Sequence, residues 1–244
     1  MQSLGEIEIV RLDRERQKRA VDAVTRAFVD DPMWSCVLPD RAARGTLLRP
    51  MWNALASFSR VYGEAWTTSN ADGAALWIRP GKTKTTLWMM VRTGFALPRS
   101  MIGLPKEARG WFFPMMRFID GLHKELMPGP HWYLWVLGVD PALQGHGIGR
   151  RLLGPVLDGA DRDGVPCYLE TQTTGNVAFY ARSGFEVIRE EREPVCGLPI
   201  WFLLRPAKTS AGSPPSLELW SSKGSAAVGP RFELAMSCLA PIRR

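Results

Sequence analysis

Apolar positions recur along the chain with two periods, and the switch between them lays out the elements. Glu6 to Leu12 alternates polar and apolar and predicts a first strand. From Arg14 to Val29, Ala20, Val21, Val24, Ala27 and Phe28 fall on one helical stripe, which Asp30-Asp31-Pro32 stops. Asp40 is placed to cap a second helix over Arg41 to Tyr62. Glu64 to Thr68 and Ala74 to Arg79 predict a hairpin around Asn70-Ala71-Asp72-Gly73, because Asp-Gly tolerates the positive φ of a tight turn. Lys82 to Pro128 predicts two helices split by Pro98 to Pro105, crowded with tryptophan, phenylalanine and methionine. Such side chains pack an inserted helical pair and also suit the wall of an apolar substrate pocket.

Trp132 to Val139 is too apolar to alternate, which predicts a strand central in a sheet. Ile148 to Ala160 predicts a helix with Leu152, Leu153, Val156, Leu157 and Ala160 inward; Pro155 must bend it or remove one backbone bond. Val165 to Thr171 is a second central strand. Asn176 to Arg182 is a short helix ended by Gly184, and Phe185 to Glu193 and Ile200 to Arg205 pair as the last strands. This order argues for an α/β layer fold. Residues 1–206 thus read as a single domain with a helical insertion at 82–128. Beyond Pro206 the chain turns rich in Ser, Gly, Pro and Ala, so 207–244 reads as a disordered tail with room for a short docked segment in the apolar run Arg231 to Leu239.

Bulk properties narrow the function. The 244 residues are 45% hydrophobic, enough for a real core, and the formal net charge of +7 includes no dense basic run. A diffuse positive field suits an anionic cofactor and argues against nucleic acid, which favours a basic stripe with a reading element. Cys36, Cys167, Cys196 and Cys238 form no CxxC pair and no zinc spacing, so no metal is expected; they read as buried free thiols of a cytoplasmic protein. The N-terminus lacks the apolar core of a signal peptide, and the most apolar stretch, Leu87 to Leu97, is short and broken by Arg92. A membrane role is not expected. Monomer and homodimer stay equally open.

The densest signal is Leu137-Gly138-Val139-Asp140-Pro141-Ala142-Leu143-Gln144-Gly145-His146-Gly147-Ile148-Gly149-Arg150-Arg151. Its glycines let the backbone turn sharply and approach a ligand closely. The loop feeds a helix whose first amides have no partner within the helix and which, with the helix dipole, stabilise a diphosphate. Arg150 and Arg151 oppose that dipole in the first turn, so a bound anion gives them a reason. Gly145, Gly147 and Gly149 space as GxGxG; the dinucleotide GxGxxG and the Walker lysine are absent.

Gln144, Gly147 and Gly149 resemble the acyl-CoA signature of the GCN5-related N-acetyltransferases (GNAT), Gln or Arg, two residues, Gly, one residue, Gly or Ala. Tyr168-Leu-Glu-Thr171 and Asn176 to Phe185 resemble that family's next strand and helix, so the likeness covers residues 131 to 205. Asp31-Pro-Met-Trp34 with Leu38-Pro-Asp40, Trp132 to Val139, and Tyr168 to Gln172 are similar in wording to puromycin N-acetyltransferases and related small-molecule enzymes. The resemblance implies a mixed, mostly antiparallel sheet of about seven strands with helices on both faces. Two central strands splay around the pantetheine arm of acetyl-CoA, and an amine attacks the thioester directly in a ternary complex.

Site residues follow from the same resemblance. Leu137, Gly138 and Val139 would bond the pantetheine, Gln144, Gly145, His146, Gly147, Ile148, Gly149, Arg150 and Arg151 the diphosphate, and Asn176 the cofactor. Tyr180, one helical turn after Asn176, would meet the departing sulfur as the acid, since a phenol can donate to a forming thiolate. For Asn176 helix capping is the rival. Glu170, a carboxylate in an apolar strand, needs a partner or a function and leads as base or amine-orienting group. His131 titrates in a useful range but lies toward the other end of its strand, and Glu64 is a looser candidate. Trp34, Trp111 and Phe112 are candidate acceptor walls, with Asp31 to attract a cation or to terminate a helix. The expected activity is N-acetylation of a small-molecule amine, including an antibiotic or aminonucleoside. A protein or peptide acetyltransferase and a non-catalytic acyl-CoA-binding regulatory domain are the alternatives.

Overall fold

The computed structural model describes residues 7–83, 87–208 and 238–239. In chain order the elements are β1 (Ile9–Arg11), α1 (Arg14–Phe28), α2 (Pro32–Val37), α3 (Arg41–Tyr62), β2 (Gly63–Thr68), β3 (Gly73–Ile78), α4 (Leu87–Arg92), α5 (Ala96–Ile102) and α6 (Lys106–Leu126). There follow β4 (Trp132–Val139), a 3-10 turn (Pro141–Leu143), α7 (Ile148–Asp163), β5 (Cys167–Thr171), α8 (Thr174–Ala181), β6 (Glu186–Arg192), β7 (Pro199–Arg205) and β8 (Cys238–Leu239).

The strands form one mixed, mostly antiparallel sheet in the order β1-β2-β3-β4-β5-β7-β6, with β8 beside β4. Apolar residues alternate across it and build two cores. Ala74, Leu76, Ile78, Tyr133, Trp135 and Phe202 pack under α1, α2, α3, α5 and α6. Ala75, Trp77, Leu134, Leu137, Leu169 and Leu203 pack against α7 and α8. Helices therefore cover both faces, the arrangement that makes a nearly continuous apolar strand such as β4 stable in the centre.

Three local readings change. Asp31 does not merely stop α1: its carboxylate accepts from Met33 N at 3.0 Å and Trp34 N at 3.3 Å and starts α2. The insertion holds three helices, not two, because the chain turns at Gly94 and Phe95, both with positive φ, before Pro98 is reached, and turns again at Gly103. Pro98 falls in the first turn of α5, where its missing N–H costs little. The free-thiol expectation fails for two of the four cysteines: Cys36 in the last turn of α2 and Cys196 in the β6–β7 hairpin form a disulfide, 160 residues apart. No local spacing announces it, since the hairpin reaches α2 only in the folded chain. Cys167 is the buried free thiol expected.

Of the tail, Cys238–Leu239 pairs with β4 and Lys208 meets Asp161 at 2.8 Å; the disorder expected for residues 209–237 and 240–244 lies outside the described residues. No described helix is long and apolar enough to cross a membrane.

Candidate active site

The site begins with an irregularity in β4. Opposite β3, Leu76 pairs with Val136 and Trp77 with Leu134, so Trp135 is an extra residue in the ladder. As a result Trp135 and Val136, neighbours in sequence, both enter the core beneath α3, while Leu134 and Leu137 face α7. A bulge of this kind bends its strand and ends regular pairing. On its other side β4 runs parallel to β5 for two residue pairs only, Trp132 with Cys167 and Tyr133 with Tyr168. Beyond them the two strands part. Into this opening β8 inserts, pairing with Val136 and Leu137, which shows that the freed edge accepts an extended partner. Gly138 lies further along the same strand, and a Cβ there would stand 3.3 Å from the Cα of Val24, so α1 rests on bare backbone.

The loop after β4 is tied down at both ends. Asp140 accepts from Ala142 N at 3.1 Å and pairs with Arg26 of α1, whose Nε lies 2.9 Å away. The Gln144 amide donates to the Val139 carbonyl at 3.0 Å and closes the loop onto the strand end. Gly145 at φ 84° and Gly147 at φ 77° adopt the left-handed conformation, and Gly147 caps α7. A cleft of about 200 Å³ opens here, lined by Val139, Gln144, Gly145, Gly147, Ile148 and Arg150 on one side and Phe179, Arg182 and Ser183 on the other. Nothing stands within 4 Å of a Cβ built on Gly147. Open glycine backbone, helix-terminal amides and two guanidinium groups fit a diphosphate. Among the predicted residues, Arg151 instead donates to the Ile7 carbonyl at 3.3 Å, and His146 is exposed with Nδ1 3.0 Å from the Gln144 carbonyl. Arg182 escaped the sequence reading; its signal is a cation three residues after Phe179, on one face of α8.

α8 is anchored to the end of β5. Thr173 caps it, and Asn176, fully buried, donates from Nδ2 to the Thr171 hydroxyl at 3.0 Å. Tyr180 follows one turn later, wholly buried between Phe179 and Phe185. Its hydroxyl has no hydrogen-bond partner among the described residues, and burial pushes its pKa well above the ordinary phenol value. A buried donor left unmatched costs about 1–3 kcal/mol, which marks it for a ligand atom.

Glu170 lies one face away, two residues past the last β4–β5 pair, and is 1% exposed. The Tyr168 hydroxyl donates to it, and burial with this carboxylate nearby raises the tyrosine's pKa. Around it stand Tyr133, Tyr168 and His123, the last from α6, with ring centroids 4.4 to 5.6 Å apart. His123 Nδ1 is 4.0 Å from Glu170 Oε1, and its Nε2 is 2.8 Å from Nε2 of His131. The structure thus joins the predicted Glu170 and His131 through a residue that sequence reasoning missed; the available signal was a histidine on the buried Met115, Met116, Ile119 stripe of α6. Burial lowers the pKa of both imidazoles, that of His123 to about 3, where His131 and Lys124 add to the effect.

The predicted acceptor walls separate. Trp34 and Phe112 stack at 5.4 Å within the core, whereas Trp111 is 45% exposed on the outer side of α6. Asp31 is buried at the head of α2, and Glu64 is held by Arg11 at 3.1 Å and the Trp66 indole at 2.9 Å. A second cleft of about 570 Å³, between α1 and α3, contains none of the predicted residues. No group of three or more His, Cys, Asp or Glu side chains among the described residues could hold a metal.

Comparison with known proteins meets the same region. Residues 110–185 match the acetyltransferase (GNAT) family. An uncharacterized N-acetyltransferase of Schizosaccharomyces pombe is 26% identical over 181 residues, 72% of each chain. A mycothiol acetyltransferase of Clavibacter sepedonicus is 31% identical over 149 residues, 59% of this chain and 46% of its own length. The fold is shared with a solved histone acetyltransferase HPA2 and related acetyltransferase of Corynebacterium glutamicum, at a TM-score of 0.57 and 20% identity over 84% of this chain and 99% of that one. Parted central strands, a glycine loop fit for the diphosphate of an acyl-CoA, and the match of residues 110–185 coincide, so the part of the chain that holds the site is similar to acetyltransferases of the GNAT family.

Proposed function

We propose that the protein transfers an acetyl group from acetyl-CoA to the primary amine of a small molecule, by direct attack in a ternary complex. The observation that carries this reading is the pair of polar groups flanking the parted strands: Glu170 on the α6 side and, on the α8 side, the Tyr180 hydroxyl, which has no hydrogen-bond partner among the described residues. Bound acetyl-CoA supplies the thioester carbonyl carbon. The cleft residues Gln144 to Arg150, with Arg182, hold the diphosphate, and the β4 backbone at Leu137 to Val139, next to the edge that pairs with β8, binds the extended arm. Asn176 fixes α8 so that Tyr180 stands ready to protonate the sulfur. Glu170 orients the amine and takes its proton. Acyl-enzyme chemistry has little support here, because burial pushes the free thiol of Cys167 up to about 12, so it is not ionised at neutral pH.

The acceptor side favours a small molecule over a peptide. Glu170 is 1% exposed and stands among the buried rings of Tyr133, Tyr168 and His123, which suits a small acceptor. An aminonucleoside or other antibiotic amine falls in this class, and the wording of the β4 and β5 strands supports it. Turnover of acetyl-CoA with aminonucleosides, aminoglycosides, aryl amines and peptides tests the reading. Acetylation of a small primary amine is expected; peptides as the only substrates would overturn it.

A further inference from the structure

The helical insertion carries apolar residues on its outside. Among the described residues eight large apolar side chains are exposed, and six of them fall between Trp88 and Phe113. Trp88 is 69% exposed and Ile102 is 70% exposed. Single exposed apolar residues are ordinary, but a concentration of them marks a surface that meets a partner. Helical spacing explains how they gather. α5 buries Leu97 and Met101, so Phe95, Arg99 and Ile102, four and three residues apart, share its outer side. α6 buries Ala108, Phe112 and Met115, which leaves Lys106, Phe113 and Arg117 outward. The end of α5 is tied to the first turn of α6, where Arg109 donates to the Ile102 carbonyl at 3.3 Å. Phe95 adds a second sign. It takes φ 54°, a left-handed conformation that a bulky residue resists, while its ring is exposed, so the fold gains little from a phenylalanine there.

Charge accompanies these side chains. From Trp88 to Arg117 the sequence holds Arg92, Arg99, Lys106, Arg109 and Arg117 against Glu107 alone. We propose that this face of α4, α5 and α6 docks on an anionic lipid bilayer, with Trp88, Phe95 and Ile102 entering the headgroup boundary and the cations meeting lipid phosphates. Tryptophan suits that boundary, where its ring lies in an apolar layer and its N–H reaches water. Arginine and lysine are drawn to the negative potential of an anionic leaflet, and their stems can lie along the apolar layer. A second copy of the chain fits this face poorly, because a two-fold contact sets a net positive patch against itself. Nucleic acid fits it poorly as well, since Val91 and Ile102 have no ring to stack on a base. No described helix is long and apolar enough to cross a membrane, and lying on one requires only an apolar side edged by cations. The sequence expectation of no membrane role rested on the shortness of the run Leu87 to Leu97; the outward placement of Phe95, Ile102 and Phe113 exists only in the folded chain.

Sedimentation of the full chain with lipid vesicles tests the docking. At low salt the protein should pellet with vesicles of equal parts phosphatidylglycerol and phosphatidylcholine, with an affinity roughly tenfold or more above that for phosphatidylcholine alone. Salt at about 1 M, where charges are screened beyond about 3 Å, should release most of it. Trp88→Ser combined with Ile102→Ser should weaken binding to the anionic vesicles by roughly tenfold or more, and so should Arg92→Glu combined with Arg99→Glu. All four positions are exposed and none lines the glycine-loop cleft, so both variants should melt and bind CoA as the parent does. No pelleting with anionic vesicles, equal pelleting with both lipids, or parental binding by either folded variant would overturn the docking. A concentration-dependent dimer that the Trp88→Ser, Ile102→Ser variant abolishes would assign the face to a second copy and overturn it too.

Discussion

Tyr180 shows how one side chain separates stability from function. Its hydroxyl is buried without a partner among the described residues, so the fold gains nothing from that oxygen. Tyr180→Phe should therefore melt at the same temperature as the parent or higher, bind acetyl-CoA within a few-fold, and lose turnover by roughly a hundredfold. Unchanged turnover across pH would remove Tyr180 as the acid. Asp31 has the opposite character. Burial pushes its carboxyl up to about 7, against the N–H groups of Trp34 and Met33 and the charge of Arg44. An unfolded aspartate titrates near about 3.9, so between about pH 4 and 7 the native state holds a proton that the unfolded state has released. Stability then falls as pH rises through that window, by a total on the order of 4 kcal/mol. Asp31→Asn keeps an acceptor for Met33 and Trp34 and should flatten this slope in urea melts from pH 5 to 8. A parent chain equally stable at both ends would contradict the account of Asp31.

At the scale of elements, the loop and the strand it follows can each be perturbed. Gly147 holds φ 77°, a region that a β-branched residue resists, and its Cβ position opens onto the cleft. Gly147→Val should leave a folded chain with acetyl-CoA affinity lowered at least a hundredfold; affinity unchanged would misplace the diphosphate. The β4 edge makes a second prediction. In the proposed binding mode acetyl-CoA and β8 meet at the backbone of Leu137, so adding acetyl-CoA should raise amide exchange at Leu239, and protection there would argue against pantetheine in the opening. Much of this was legible in the sequence. Trp132 to Val139 announced itself as a central strand because both of its faces are covered, and Gly145 to Gly149 because only glycine takes such a path. The bulge at Trp135 was not legible, since Trp135 and Val136 are both apolar and either register reads alike. His123 was hidden for a related reason: on the α6 stripe it reads as one more buried position until α6 is laid across β5.

For the whole molecule, long-range links decide what local patterns do not. The Cys36–Cys196 disulfide ties α2, within the first third of the chain, to the hairpin of the last two long strands. Closing so long a loop restricts the unfolded chain, and its loss should cost about 2–4 kcal/mol. Replacing both cysteines by serine should lower the melting temperature by about 5–15 °C while acetyl-CoA binding persists, as neither residue lines the cleft. An unchanged melting point would show that the link carries no stability. The central claim, that the loop after β4 receives an acyl-CoA, is tested most directly by the backbone amides of the full chain during a CoA titration. The largest and saturable shifts are predicted at Gly145, Gly147, Ile148, Gly149 and Arg150, with Arg182 following; shifts concentrated instead in the α1–α3 cleft around Lys18 and Asn53, or no saturable shift at all, would contradict it.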